Sequence, residues 1–429
     1  LPIPQPFQPP IQLSQPFPGS IYSLPNGLTV IHHDLPTASA VTVDVWVRSG
    51  AIAEPDPWFG MAHFLEHMIF KGTERVRPGE FDAAIETVGG VTNAATSHDY
   101  AHFFINTPLA SLPKILPLFA DLLLSAAIPD SEFELERQVV LEEIRQAYDD
   151  PDWLGFQSLM ADVYRQHPYG RSVLGDVEQL MARSPAEMRS FHRAHYQPDQ
   201  LTVVIVGNLT LTHALDLVGT AFSHCPERST VSAPKTLPEP PMTNVRRQQI
   251  ELPRLGLARL MMSWVGPGVD QLHASYGLDV LSVVLAGGQS SRLVRELRED
   301  RQWVQDIDSS FSLQRESSLF TITAWLEPQY VERVEAIIGD RLSQLANTPI
   351  TPLELNRCKR LLCNDYAFST ETSSQIAGLY GYYHTIAHAH LATVYPDQIR
   401  SLTVDELQVL TRHYLSPYRY ASVVLMPES

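Results

Sequence analysis

The sequence predicts two domains built on one plan, each mixing β-strands with α-helices. Three observations lead there. The chain has 429 residues, too many for one small hydrophobic core and enough for two to three domains. Strand-like and helix-like stretches recur in a similar order in two halves of about 200 residues each. Between them, residues 226–246 carry Pro226, Pro234, Pro238, Pro240 and Pro241 among polar residues, as an interdomain linker would. We therefore expect domains at 21–230 and 247–429, a linker at 231–246, and a Pro- and Gln-rich arm at 1–20. The shared order suggests an internal duplication, although no residue-level repeat accompanies it.

Composition narrows the classes. Apolar residues make up 44% and charged residues 18%, the balance of a soluble globular protein. The net charge of −17 disfavours nucleic acid and anionic membranes as partners. It suits basic substrates, and equally plain solubility. Cys225, Cys358 and Cys363 are too few for a disulfide framework and have no metal-ligand spacing. They point weakly to a reducing compartment. No apolar run spans a bilayer: Leu109 to Ile128 is interrupted by Pro113, Lys114, Pro117 and Asp121. No signal peptide is visible. The expectation is a soluble protein of the cytoplasm or an organelle interior, with the periplasm as the other compartment allowed.

In the first half, Ile21 to Leu24 and Leu28 to His32 flank Pro25-Asn26-Gly27 and predict strand, turn and strand. Ala40 to Val47 alternates and is rich in Val, a third strand. A helix is expected from Trp58 to Phe70 and another from Pro78 to Val88, stopped by Gly89-Gly90. Val91 to Thr96 and Tyr100 to Asn106 are strands. Leu109 to Ala127, Asp130 to Tyr148, Trp153 to Tyr164 and Pro185 to Tyr196 are helices. Leu201 to Gly207 is a buried strand, and Thr212 to Phe222 a helix with Thr212 as N-cap.

The second half repeats this. Strands are expected at Arg247 to Leu252 and Leu257 to Val265, then a helix from Leu272 to Leu285 and another from Ser291 to Asp300. Strands at Asp306 to Leu313 and Leu319 to Leu326 precede helices at Gln329 to Ala346 and Pro352 to Phe368. The chain closes in further helices and the strand Tyr420 to Met426.

Chemistry concentrates in His63-Phe64-Leu65-Glu66-His67. On a helix the two histidines lie one turn apart on one face, so both imidazoles can reach one metal ion. Glu66 is too close to His67 for easy ligation to that ion, but well placed to take a proton from water. Phe64, Leu65, Met68, Ile69 and Phe70 would bury the helix and keep the site dry. H-x-x-E-H is the inverted form of the zinc-peptidase motif H-E-x-x-H. Such a site needs three protein ligands and one open position. The helix from Asp130 to Tyr148 offers several carboxylates. Leu135, Val139, Val140 and Ile144 are expected on its buried side. Glu136 and Glu143, seven residues apart, share one face, whereas Glu132, Glu134 and Glu142 read as surface charges.

These residues resemble the pitrilysin family of zinc peptidases, in particular its processing-peptidase-like members. The resemblance rests on His63-Phe64-Leu65-Glu66-His67 followed by Val139-Val140-Leu141-Glu142-Glu143-Ile144. Leu24-Pro25-Asn26-Gly27-Leu28, Gly60-Met61-Ala62 and Phe70-Lys71-Gly72-Thr73 support it, and it covers nearly the whole chain. It implies an α+β fold of two related domains, each a mainly antiparallel sheet packed with helices. It implies Zn²⁺ as cofactor, Glu143 as the third ligand beside His63 and His67, Glu66 as general base and Glu136 as a functional carboxylate that orients a ligand or water. It implies that peptides bind as an added strand along Gly89 to Ser97, with Asn93 holding a substrate carbonyl and the small Ala94 and Ala95 letting a backbone approach. In the second half, Gly287-Gly288-Gln289-Ser290-Ser291-Arg292-Leu293 and Leu297-Arg298-Glu299 resemble the family's signature for an Arg and Tyr that reach the zinc site. Arg298 matches the Arg, but Gln305 stands where the Tyr is expected. The resemblance therefore implies a zinc-bearing subunit of a heterodimer whose partner brings the Arg/Tyr pair, with a homodimer as the fallback. Peptides and unfolded segments are the expected substrates. A non-catalytic scaffold of the same fold is the alternative.

Overall fold

The computed structural model describes residues 17–224, 228–231, 236–253 and 255–428. Most of the expected Pro-rich arm, part of the expected linker and Cys225 lie outside these.

Two sheets organise the molecule. The first contains β1 (Ser20–Ser23), β2 (Thr29–Asp34), β3 (Val41–Val47), β4 (Val91–Thr96), β5 (Ala101–Thr107) and β6 (Leu201–Gly207), in the order β1-β2-β6-β3-β5-β4. The second contains β7 (Arg246–Leu252), β8 (Ala258–Pro267), β9 (Val304–Leu313), β10 (Ser317–Leu326) and β11 (Ala421–Pro427), in the order β7-β11-β8-β10-β9. Setting β1 aside, the orders are the same. Each sheet is antiparallel except for one pair, β2 with β6 and β7 with β11. Those pairs join strands separated by a long run of helices, the connection that a parallel pair needs. The fold is α+β with two related domains, as the sequence implied.

The helices of the first half are α1 (Met61–Ile69), α2 (Glu80–Thr87), α3 (Leu112–Ser125), α4 (Asp130–Asp149), α5 (Pro151–Val163), α6 (Val177–Met181), α7 (Pro185–His195) and α8 (Leu211–Ala221). Those of the second are α9 (Leu272–Ala286), α10 (Val331–Asn347), α11 (Pro352–Phe368), α12 (Ser373–Ile386), α13 (Leu391–Ser401) and α14 (Val404–Tyr414). Among the described residues no single helix is long and apolar enough to cross a membrane.

β3 is buried along its whole length, so both of its faces are covered. Val43 and Val45 join the core beneath α1 and α3. Thr42 and Trp46 face the other way, towards α12 of the second half, where the Thr42 hydroxyl donates to Ser373 Oγ at 2.9 Å. The arrangement is reciprocal. α12 crosses β3 and β6, while α5 of the first half crosses β8 and β11. A glycine marks each close approach: a Cβ on Gly155 would lie 2.8 Å from Met261 Sδ, and one on Gly381 would overlap the Trp46 indole. Each half thus closes the open face of the other's sheet.

Several expectations need correction. α1 begins at Met61, after a short 3₁₀ turn at Asp56–Trp58. The cap of α8 is Thr210, whose side chain accepts from the His213 N–H at 3.4 Å, and Thr212 lies inside the helix. The helix expected at 291–300 contains a π-helical stretch, Val294–Asp300. α6 was not anticipated. On α4, Val140 and Ile144 are buried, but Leu135 is 65% and Val139 51% exposed. They lie on the side that bears Glu143, away from the side that packs Phe133, Val140 and Ile144 into the core.

Candidate metal centre

α1 is fixed from below and from its N-terminus. Phe64, Leu65, Met68 and Ile69 are fully buried, with Phe64 against Phe133 of α4 at 4.6 Å between ring centroids. The first turn of a helix leaves N–H groups without partners. Here Gly60, at φ 85°, cannot cap with a side chain. Glu54 does so from the preceding loop: its Oε2 accepts from the Gly60 N–H at 3.1 Å and its Oε1 from the Ala62 N–H at 2.7 Å. Burial pushes the Glu54 carboxyl up to about 8, against the pull of these two N–H groups and of Arg171. Gly60 is required by contact as well, since a Cβ there would lie 2.7 Å from Gly175 Cα.

This rigid helix presents His63 and His67 on one side. Their rings meet edge to face, 4.9 Å between centroids. Glu143 of α4 comes down between them, with its Oε2 3.6 Å from His63 Nε2 and 3.4 Å from His67 Nε2. Among the described residues no other group of three His, Cys, Asp or Glu side chains converges in this way. The separations are too long for direct hydrogen bonds. They fit a shared ion, because ligands about 2.1 Å from a tetrahedral zinc lie about 3.4 Å apart. The donor set, two imidazoles and a carboxylate, also suits zinc and leaves a fourth position open.

The surroundings tune these groups differently. Burial, with a smaller contribution from His67, pushes the His63 imidazole down to about 4, so that ring is neutral at physiological pH. Burial also opposes charge on His67, but the hydrogen bond and charge of Glu136, with Glu143 and Glu66, outweigh it and raise its pKa. His67 Nδ1 lies 2.9 Å from Glu136 Oε1, and Lys71 Nζ lies 2.6 Å from Glu136 Oε2. Glu136 is itself held below the usual carboxylate range: burial works against this, and the His67 and Lys71 contacts prevail. In the neutral ring, a proton on His67 Nδ1 shared with Glu136 leaves the lone pair on Nε2, which faces Glu143.

Glu66 points the other way, to β4. The Thr96 hydroxyl donates to its Oε2 at 2.5 Å. Burial raises the pKa of Glu66, and the Thr96 bond partly offsets this. β4 is an edge of the first sheet, and among the described residues no strand pairs with its outer side. Ala94 shares a face with Thr96, towards Glu66, because residues two apart on a strand point the same way. Asn93 is on the opposite face, exposed, with its own Oδ1 accepting from the Ala94 N–H at 2.9 Å. The structure thus brings together His63, Glu66, His67, Glu136, Glu143 and Ala94, and turns the Asn93 side chain away from them. Arg298 makes its ion pairs within the second half, with Glu299 at 3.0 Å and Asp306 at 3.1 Å. Gln305 is exposed on β9, the edge strand of the second sheet. Sequence reasoning missed the roles of Glu54, Lys71 and Thr96. Lys71 had a signal, since it lies four residues beyond His67.

Comparison with known proteins now bears on this geometry. The profile described as insulinase (peptidase family M16) matches residues 29–177, and that described as the peptidase M16 inactive domain matches residues 184–362. The chain belongs to peptidase family M16. Among M16 relatives, it is 30% identical to the zinc protease PqqE of Helicobacter pylori, over 94% of this chain and 92% of that one. It is also 30% identical to an uncharacterized zinc protease of Mycobacterium tuberculosis, with the same coverages of 94% and 92%. A crystal structure of a protease from Helicobacter pylori superposes with a TM-score of 0.89 at 29% identity, covering 95% of this chain and 99% of that one. The first M16 profile covers α1 and Glu143. The second spans most of the half in which the described residues hold no comparable group.

Proposed function

We propose that this M16 chain is a zinc-dependent endopeptidase acting on peptides or unfolded segments. The observation that carries the reading is the convergence of His63 Nε2, His67 Nε2 and Glu143 Oε2, with a half-buried carboxylate, Glu66, on the same helix as the two histidines. In this reading those three side chains hold Zn²⁺, which supplies the Lewis acidity that polarises a scissile carbonyl and acidifies water.

The chain's own residues do the rest. The free edge of β4 takes the peptide as an added strand, with main-chain hydrogen bonds supplying affinity without strong sequence demand. Ala94 leaves room for that backbone on the side of Glu66. Glu66, steadied by Thr96, accepts the proton of the attacking water and passes it to the amide nitrogen as the C–N bond breaks. The products are a carboxylate and an amine. Glu136 keeps His67 in one tautomer and one orientation. Asn93 would have to turn its side chain to hold a substrate carbonyl.

The second half offers no phenol at position 305, and Arg298 is engaged by its own acidic neighbours. This favours a dimer in which a second subunit of the same family completes the site, with a homodimer using Arg298 and Gln305 as the other arrangement. The test is cleavage of a quenched fluorescent peptide by the purified chain, with and without chelator, for wild type and Glu66→Gln. Chelator-sensitive cleavage that disappears in Glu66→Gln while zinc is retained supports the enzyme. Cleavage by Glu66→Gln at the wild-type rate removes Glu66 as the base. A wild-type chain that binds no zinc promotes the scaffold reading instead.

A further inference from the structure

We propose that Lys71 is a positioning residue of the metal centre, acting through Glu136 on the His67 imidazole. The purpose of the centre rests on the zinc-peptidase reading. The coupling rests on geometry alone.

Lys71 lies in the turn just after α1, four residues beyond His67. They meet the same carboxylate from two directions. Glu136 Oε1 faces His67 Nδ1 at 2.9 Å, and Oε2 faces Lys71 Nζ at 2.6 Å. The Glu136 side chain is only 10% exposed, so water contributes little to holding it. With Lys71 removed, the carboxylate loses the anchor on its Oε2 and can rotate towards solvent. The contact that sets the His67 ring is then weakened. The end of α1 holds Lys71 in turn: its N–H donates to Met68 O at 3.1 Å, and Gly72 follows at φ 92°. The series Lys71, Glu136, His67 is therefore a brace running from the end of α1, through α4, back to α1.

Groups that orient a metal-bound histidine commonly change metal affinity by about 10- to 100-fold when removed. Lys71→Met should weaken zinc binding by about 10-fold, read by competition with a chromophoric chelator on the full chain. Lys71→Arg, which keeps a donor and a charge, should restore most of that loss. Glu136→Gln should weaken binding as well. The double variant Lys71→Met/Glu136→Gln should be no worse than Glu136→Gln alone, because in this proposal Lys71 acts on His67 through Glu136. Melting curves of the zinc-free proteins separate this from simple unfolding: Lys71→Met should lower the midpoint, because it takes a partner from a largely buried carboxylate, yet keep one cooperative transition well above the assay temperature. Equal zinc affinity in wild type and Lys71→Met would overturn the proposal. So would additive losses in the double variant. A wild-type chain that binds zinc but cleaves no peptide would leave the brace standing and point to the missing second subunit, whereas peptide cleavage that is indifferent to chelator would leave the brace standing and remove the zinc-peptidase reading.

Discussion

The two halves share a plan and differ in what they leave unpaired. α1 and α9 occupy the same place in their sheets' order, as do α4 and α11. In the second half Asp279 and Glu354 of these helices are answered by side chains of that same half. Asp279 of α9 accepts from the Tyr395 hydroxyl, and Glu354 of α11 takes both arms of Arg292 at 2.8 and 2.9 Å. The rest of the buried face of α9 is apolar or small apart from Tyr276. In the first half, two imidazole nitrogens and a carboxylate oxygen face one another without any hydrogen bond closing the group. The difference teaches that the fold does not mark the site. Convergent donors that do not satisfy one another mark it.

The sharpest way to break that comparison is to neutralise one carboxylate in each half. Glu66→Gln should lower the cleavage rate by about 10²- to 10⁴-fold with zinc retained. Glu354→Gln, whose carboxylate pairs with Arg292 in the second half, should leave the rate unchanged in the same peptide assay.

A pH series probes the second half by itself. Burial pushes Asp279 up to about 6 from an ordinary value of 3.8, opposed by the Tyr395 hydroxyl. The folded state therefore holds this proton more tightly than the unfolded chain. The stability it contributes is complete below about pH 4 and is lost as pH rises through about 6. Asp279→Asn should gain on wild type by about 3 kcal/mol above that range and by little below it. Melting temperatures of the two proteins across the range would show it, and a constant difference would refute it.

The reciprocal packing gives a smaller contrast. Gly381→Ala drives a methyl into the fixed Trp46 ring and should destabilise by about 1–3 kcal/mol. Gly155→Ala meets the flexible end of Met261 and should cost less. Urea denaturation of both variants ranks them. Smallest of all, Leu135→Ser and Val139→Ser on the exposed side of α4 should each change stability by less than about 0.5 kcal/mol. A larger loss would return them to the core position that the sequence suggested.

That last pair shows where reading the sequence stopped. Strand alternation at β3 and the capping glycine after α2 were legible because they are local. The H-x-x-E-H spacing was legible for the same reason, since helical geometry alone brings His63 and His67 together. Glu143 became legible only through resemblance to a family, because nothing local joins α4 to α1. Leu135 and Val139 look like core residues by composition, but the exposed side of a helix need not be polar. Thr96 and Glu54 were out of reach: their partners lie across turns and strands whose approach only the folded chain defines. The face of Asn93 could have been read from the period of two relative to Thr96, had the Thr96 contact with Glu66 been known.

The central claim is that the first half alone holds a metal, through His63, His67 and Glu143. The most direct measurement is zinc content per chain, for wild type and for His67→Ala, after dialysis against a weak chelator. The account predicts one zinc per chain in wild type and almost none in the variant. Full zinc content in His67→Ala would contradict it.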